Sequence, residues 1–225
     1  MRTERLVDMR EVRKTLNDGP SYPFAQPGDI YFARGTGTLG KLIRWAEREP
    51  GEPESWANHV GGITTPGYLV PPAGKITALA KATESLWHIE ENVWWDRHQN
   101  EQGYSVAVFR PRNYRGDIGV DNVVSNWRSR EGQRYGWWRM ATFLGEKLTR
   151  GTIPFSKLHV SKTRVVCSNH ILIGLSQDGI YVHLNGGGPS DPNEIDPDEF
   201  LDYAIAKPEE FKFIGQATVP ARRIS

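Results

Sequence analysis

The chain has 225 residues, enough for one large domain, and its 38% hydrophobic content with eight tryptophans can supply the core of such a domain. Because 28 basic residues face 27 acidic ones, the formal net charge is only +1, which argues against nucleic acid or an anionic membrane as a partner. The single cysteine excludes an intrachain disulfide and a zinc site of several thiolates, and we predict no cofactor and no metal.

The N-terminal residues carry no apolar segment of the signal-peptide type, and no apolar run reaches the roughly 18 residues that span a bilayer. We therefore expect no transmembrane segment and a chain that is cytoplasmic when synthesised. Release by cell lysis or carriage in a phage particle would be other routes out of the cell.

The first part of the chain predicts two helices around a short strand. Residues 4–16 form a charged helical pattern whose apolar side includes Val12 and Leu16. We interpret residues 1–25 as a peripheral helical extension and 26–225 as the main domain. A strand is predicted at 30–33, followed by a helix at 39–47 with Leu39 and Leu42 facing inward.

Strands are predicted over the next stretch. Residues 56–64 form a strand pattern interrupted by Gly61 and Gly62, and glycine inside a strand often marks the close approach of another backbone or of a ligand. Apolar and β-branched residues predict further strands at 76–87, 88–94 and 105–109.

Helices predominate in the second half. Apolar residues recur with helical spacing over 120–127 and 137–148. Asp196 with Glu199 forms a capping-box pattern, with Pro197 at the first helical position, and a strand is predicted at 211–215. The mixture predicts one α+β domain.

Cys167 is the most informative residue of the second half. The β-branched pair Val165-Val166 precedes it, and Ile171 and Leu175 follow with helical spacing until Asp178-Gly179. This pattern predicts an extended segment that enters a helix with the thiol in the first turn. A helix N-terminus favours the thiolate and offers free N–H groups for an oxyanion, although a lone cysteine is more often a buried apolar residue.

A thiol nucleophile needs a base and a group that orients the base. His59 is predicted on a strand beside small residues, and Glu84 on a strand that would pair with it. Glu90 and Glu91 remain alternatives to Glu84. His170 is a rival base or half of a Cys-x-x-His metal pair, whereas His88, His98, His159 and His183 are interpreted as surface or packing residues.

Four short motifs, in this order, resemble a known family: Gly28-Asp29-Ile30, Asn58-His59-Val60-Gly61, Ala82-Thr83-Glu84-Ser85 and Val166-Cys167-Ser168. They are similar to those of circularly permuted papain-like hydrolases, the permuted NlpC-type branch that includes YiiX-like and lecithin-retinol-acyltransferase-like proteins. In that branch the histidine strand precedes the cysteine helix. The resemblance covers about residues 27–205. It departs from the family at Asn169, where an acid is common, and in the additional glycine of Gly61-Gly62.

The resemblance implies a permuted papain-like fold, in which a small antiparallel sheet or half-barrel packs against helices with the catalytic cysteine at a helix N-terminus. It implies Cys167 as nucleophile, His59 as general base and Glu84 as the orienting residue. The motifs and their neighbours also provide the candidate substrate-binding residues, which are Asp29, Trp56, Asn58, Tyr135, Ser168 and His170, although Asp29 on its own reads as a turn or cap residue.

The expected function is a cysteine hydrolase that cleaves an amide, peptide or isopeptide bond through a thioester, with peptidoglycan stem peptides as one implied substrate. A first alternative is an acyltransferase or lipid esterase of the lecithin-retinol-acyltransferase type. A second is a non-catalytic structural or virion protein that retains the fold. The sequence does not determine the oligomeric state.

Overall fold

The computed structural model describes residues 9–47, 54–73, 78–85, 88–134, 145, 167–184, 188–193 and 195–220. The segment that leads into Cys167 lies outside these ranges, and so does the helix predicted at 137–148, apart from Gly145. The statements below concern the described residues.

Six helices and eight strands are formed within these ranges. The helices are α1 (Met9–Asn17), α2 (Thr38–Glu47), α3 (Trp94–His98), α4 (Gly116–Arg128), α5 (Cys167–Gln177) and α6 (Pro197–Ala206). The strands are β1 (Phe24–Ala25), β2 (Ile30–Arg34), β3 (His59–Thr65), β4 (Gly67–Tyr68), β5 (Lys81–Ser85), β6 (Ile89–Val93), β7 (Ser105–Pro111) and β8 (Phe211–Thr218).

An antiparallel sheet of six strands organises the molecule, in the order β6-β5-β3-β2-β7-β8, and β1 pairs with β4 in a separate two-stranded sheet. β3 lies at the centre, with Ala33 of β2 opposite His59 and Thr83 of β5 opposite Gly62. The pairing of β3 with β2 is regular across both glycines, and the irregularity in its pairing with β5 comes later, between Ile63 and Thr65. The prediction of an α+β fold with an antiparallel sheet is confirmed.

Side chains alternate between the two faces of the sheet, and each face has its own core. On the first face Ile30, Phe32 and Val60 belong to a cluster with residues of α1, α4, α5 and α6. On the second face Tyr31 and Ala33 belong to a smaller cluster with Trp94, Tyr104 and residues of β7. Because β3 separates the two cores, its residues alternately face one and then the other.

The two glycines of β3 make room for aromatic rings of the same chain. A Cβ atom at Gly62 would collide with the ring of Trp127, which comes from α4 on the first face. A Cβ atom at Gly61 would collide with the ring of Tyr31 on the second face. The close approach expected from these glycines is therefore an approach of side chains.

The first helix is more deeply packed than the sequence suggests. Val12 and Leu16 are fully buried within the core of the first face, and α1 contacts α6 and β8. The short apolar stripe of the helix therefore completes a core that its charged remainder does not reveal.

The inward face of α2 also differs from the prediction. Leu39 and Leu42 are exposed, whereas Gly40 and Arg44 are buried. The Arg44 guanidinium donates to the carbonyl oxygen of Gly35 and pairs with Glu54. A buried cation with these acceptors sets the orientation of the helix, so the apolar pattern predicts the wrong side.

Two details near the ends of elements complete the comparison. The strand predicted to run to residue 94 ends at Val93, where α3 begins with Trp94. The predicted capping box of α6 is confirmed: the Asp196 side chain accepts from Glu199 N at 2.8 Å, and Asp196 N donates to the Glu199 side chain at 3.1 Å.

The contact between Gly62 and Trp127 generates a stability prediction. The substitution Gly62→Ala should lower the free energy of unfolding by about 1–3 kcal/mol, because an added methyl group must displace a fully buried indole ring. Urea unfolding measures the effect. Gly37→Ala is the matched control, since a Cβ atom there meets no atom within 4 Å and should change the unfolding free energy by less than about 0.5 kcal/mol. Equal effects of the two substitutions would contradict the packing argument.

Candidate active site

Cys167 is the first residue of α5, as the sequence predicts, and is 6% exposed. The thiol therefore lies where the N–H groups of the first helical turn are not used by the helix itself and where negative charge is favoured. One turn later, His170 Nε2 lies 3.0 Å from Thr83 Oγ1, which holds the start of α5 against β5.

The contacts just past the C-terminus of α5 show at which end of the sheet its N-terminus, and with it Cys167, lies. Asp178, just past the helix, accepts from Arg115 N at 3.4 Å. The adjacent Tyr114 hydroxyl donates to Gly28 O at 2.5 Å, at the end of the sheet where β2 begins and β3 ends. Because α5 runs toward that end, its N-terminus is directed to the opposite end, where β3 begins at His59.

His59 is buried and uncharged. It pairs across the sheet with Ala33, so its imidazole projects from the second face beside the ring of Tyr31, with ring centroids 6.2 Å apart. Burial, opposed by the nearby negative charge of Glu84, lowers the pKa of His59 to about 4. Its Nε2 atom has no hydrogen-bond partner among the described residues.

Glu84 shares this face and is 1% exposed. It accepts from the Tyr31 hydroxyl and lies 3.2 Å from His98 Nε2 through each of its oxygens. Burial alone would raise its pKa, but the hydrogen bond from His98, the charge of His98 and the Tyr31 hydroxyl lower the pKa to about 2. The carboxylate is therefore ionised, and its direct histidine partner is His98, whereas His59 feels only its charge.

The alternatives to Glu84 have partners at the edge of the sheet. Glu90 pairs with His88 at 2.5 Å and with Arg97 at 2.7 Å, and Glu91 pairs with Arg128 at 2.5 Å. Both carboxylates are more exposed than Glu84. Of the three, Glu84 is the carboxylate that the structure buries beside His59.

His98 is the main residue that the sequence interpretation missed. It is 3% exposed and not on the surface, and its Nδ1 atom lies 2.8 Å from Glu101 Oε1. The carboxylates of Glu101 and Glu84 outweigh the effect of burial and raise the pKa of His98 to about 9. In the sequence, His98 and Glu101 lie three residues apart and follow Trp94-Trp95, which is only a weak signal for this ion pair.

Tyr104 connects the cysteine to this polar cluster. Its ring lies 4.8 Å from the ring of His98. Burial and the charges of Glu84, Glu101 and Cys167 raise the pKa of its hydroxyl well above the usual value, so the thiol lies within electrostatic reach of the same hydroxyl as Glu84. Tyr104 immediately precedes β7, at the end of the sheet where β3 begins.

The cysteine and the histidine approach this end of the sheet from different faces. Trp127 and His170 show that α5 packs on the first face, over Gly62 and Thr83, whereas His59 and Glu84 project from the second face. The structure therefore brings His59 and Glu84 together on neighbouring strands, and it brings Cys167 to the same end of the sheet without a hydrogen bond to His59 Nε2.

Asn58 and Trp56, two candidate substrate-binding residues, belong to the loop that precedes His59. The Asn58 side-chain oxygen accepts from Gly35 N at 2.7 Å and from Arg44 Nη1 at 3.3 Å. The backbone N–H groups of Trp56 and Ala57 donate to Asp198 Oδ1 at 2.9 and 3.0 Å. These bonds explain the acidic residue that follows Pro197: it anchors the loop that leads to His59.

The remaining candidates are distributed differently. Asp29 forms a two-point ion pair with Arg110 and accepts from Gln26 N, at the end of the sheet opposite to His59. Its role is to hold the start of β2, and the structure does not bring it to Cys167. Ser168 and His170 are buried in the first turn of α5, and Tyr135 lies outside the described residues.

No protein-family model matches this chain, and no curated protein matches it in sequence. Within the described ranges, no helix is long and apolar enough to cross a membrane. Over those same residues, His, Cys, Asp and Glu side chains do not gather in a group of three or more that could hold a metal ion.

The two buried neutral histidines generate a pH prediction. Burial lowers the pKa of His59 to about 4 and that of His170 to about 3, whereas both have a pKa near 6.5 in the unfolded chain. Stability from these groups is complete above pH 6.5 and is lost as the pH falls, because the unfolded state takes up two more protons. Between pH 6 and 5 the free energy of unfolding should fall with a slope approaching about 2.7 kcal/mol per pH unit.

Urea unfolding at closely spaced pH values measures this slope. His170→Gln removes one of the two groups that take up a proton on unfolding. The slope should therefore be about half that of the wild type, whatever the absolute stability of the variant. A slope unaffected by His170→Gln would show that His170 is protonated in the folded state.

Proposed function

We propose that this chain is a cysteine hydrolase that cleaves an amide bond through a thioester. The observation that carries the proposal is the placement of Cys167 at the start of α5, toward the end of the sheet where a buried, uncharged His59 stands beside an ionised Glu84. A nucleophile at a helix N-terminus, a neutral imidazole and a carboxylate are the groups that amide cleavage by a thiol requires.

In the proposed reaction His59 accepts the proton of the Cys167 thiol while the sulfur attacks the substrate carbonyl carbon. N–H groups of the first turn of α5 stabilise the oxyanion. The amine leaves with the proton from His59 and the thioester remains. Water then attacks the thioester with His59 again as base, and the products are the carboxylic acid and the regenerated thiol.

The reaction requires the imidazole to reach the thiol. His59 Nε2 is unpartnered among the described residues, so proton transfer breaks no hydrogen bond of this atom. Catalytic hydrogen bonds often form fully only in the substrate complex. We infer that substrate binding closes the gap between Cys167 and His59 at the end of the sheet where β3 begins. The loop before β3, which Asp198 anchors, holds His59 in position.

The proposed substrate is a peptide or isopeptide, with peptidoglycan stem peptides as the class that the sequence resemblance implies.

A second candidate, a protein that keeps the fold without catalysis, is favoured by two observations. Cys167 is 6% exposed, and α5 packs on the face of the sheet opposite to His59.

Alkylation of Cys167 by iodoacetamide separates the two candidates, and labelling is unambiguous because the chain has one cysteine. If the proposal is right, the pH profile of the wild-type rate should show a thiol pKa at least one unit below the ordinary value of about 8.5, because the N-terminus of α5 stabilises the thiolate. In His59→Gln the labelling rate below that pKa should fall, because the neutral imidazole that takes up the thiol proton is lost.

His88→Gln is the matched control, because His88 is half exposed and pairs with Glu90 away from the cysteine. It should leave the profile unchanged. A wild-type profile of an ordinary thiol, or labelling that begins only in denaturant, would reject the hydrolase and favour the non-catalytic protein.

The bond that is cleaved is tested with two covalent probes of different chemistry. A peptidyl chloromethyl ketone should label the wild type and leave Cys167→Ala unlabelled, because the proposed site accepts a peptide next to the thiol. A β-lactone with a long alkyl chain should react more slowly at equal concentration. Faster labelling by the lipid-like probe would instead support an acyltransferase or lipid esterase. Labelling by each probe is read from intact mass.

A further inference from the structure

His98 is held by carboxylates at both ring nitrogens. Its Nε2 atom lies 3.2 Å from both oxygens of Glu84, and its Nδ1 atom lies 2.8 Å from Glu101 Oε1. Ionised carboxylates only accept hydrogen bonds, so each ring nitrogen must carry a proton. The geometry therefore requires His98 to be an imidazolium cation.

Aromatic rings keep this cation in place. The His98 ring contacts Trp94, at a centroid distance of 4.6 Å and an angle of 35°, and Tyr104, at 4.8 Å and 31°, and these two rings also contact each other at 5.5 Å. Contacts with aromatic faces are favourable for a cation that is shielded from water. Because the residue is only 3% exposed, these contacts hold the His98 ring in position and shield its charge from water.

The imidazolium of His98 changes the electrostatic environment of His59. Among the charges that act on His59, that of Glu84 raises its pKa most, so an unbalanced carboxylate there would favour a charged His59. Because His98 faces both oxygens of Glu84, His59 meets an ion pair and not a bare carboxylate. Arg97, whose Nε atom is 4.0 Å from Glu84, adds positive charge on the same side.

We propose that His98 is a positioning residue: by binding both oxygens of Glu84 as an imidazolium, it fixes the carboxylate and weakens the attraction of Glu84 for a proton on the buried His59. As a role in catalysis this inference rests on the proposed hydrolase. As a statement about the charge of His59 it can be tested without any activity.

The balance of charges around His59 supports the direction of this effect. The groups that act on it are Glu84 and Glu101, which raise its pKa, and His98 and Arg97, which lower it. The Tyr31 hydroxyl contacts Glu84 and is itself uncharged, since burial and Glu84 raise its pKa well above the usual value. Loss of the His98 charge therefore leaves the two carboxylates opposed by burial and by Arg97.

The experiment is an NMR titration of the histidine rings in the full chain, with His59 assigned from the signal missing in His59→Gln. In His98→Gln the side-chain amide can still donate to Glu84 but carries no charge. The pKa of His59 should rise from about 4 by at least about one unit. His88→Gln is the matched control and should leave the titration of His59 where it is in the wild type.

A second variant protects the test against failure of His98→Gln to fold. Glu101 is partly exposed, with a side-chain exposure of 42%, so Glu101→Gln should fold. It removes one of the two acceptors of the imidazolium, and the pKa of His98 should fall from about 9 by about one unit or more. A His98 without influence on His59 would leave the titration of His59 in His98→Gln as it is in the wild type.

The outcomes separate the two proposals. If iodoacetamide labelling shows an ordinary thiol but the pKa of His59 rises in His98→Gln, the hydrolase fails while the charge coupling stands. If Cys167 is reactive but the pKa of His59 is unchanged in folded His98→Gln, the role of His98 is overturned. An unchanged pKa of His98 in Glu101→Gln would also overturn it, because the imidazolium would then not depend on its carboxylates.

Discussion

The packing of Trp127 against two glycines is the contact on which the rest of the structure depends. Its ring fills the space left by the missing side chains of Gly62 in β3 and Gly174 in α5, and its indole N–H donates to Ile171 O at 3.2 Å. One side chain from α4 thereby joins the central strand to the cysteine helix. Since protein cores are close-packed, a small change at this contact would shift α5 and, with it, Cys167.

The opposite face of the sheet has a different character, because it buries charge. Glu84, His98 and Tyr31 lie within a core that also contains Trp94 and Ala82. Buried charges are costly unless they are paired and hydrogen-bonded, and here each charged group is matched by another. A cluster with this free-energy cost has a function if it sets the protonation state of a neighbouring group, and His59 is the group beside it.

The loop before β3 links these two regions. Asn58 is tied to the end of β2 through Gly35, and the backbone of Trp56 and Ala57 is tied to α6 through Asp198. The start of β3 is therefore held both by the end of β2 and by α6. These bonds give His59 a defined position, and they use polar groups of Asn58 that the sequence left available for substrate.

Elements whose signals are local can be predicted from the sequence alone. The start of α5 at Cys167, the capping box of α6 and the strand that begins near His59 follow from residues within one or two turns of each other. Only the tertiary structure decided the partner of Glu84, the inward face of α2 and the place of Asp29, since these depend on contacts distant in sequence. A shift of one residue in strand register moves every side chain to the other face, so no local pattern could show that His59 and Glu84 share a face with His98 while α5 packs on the other.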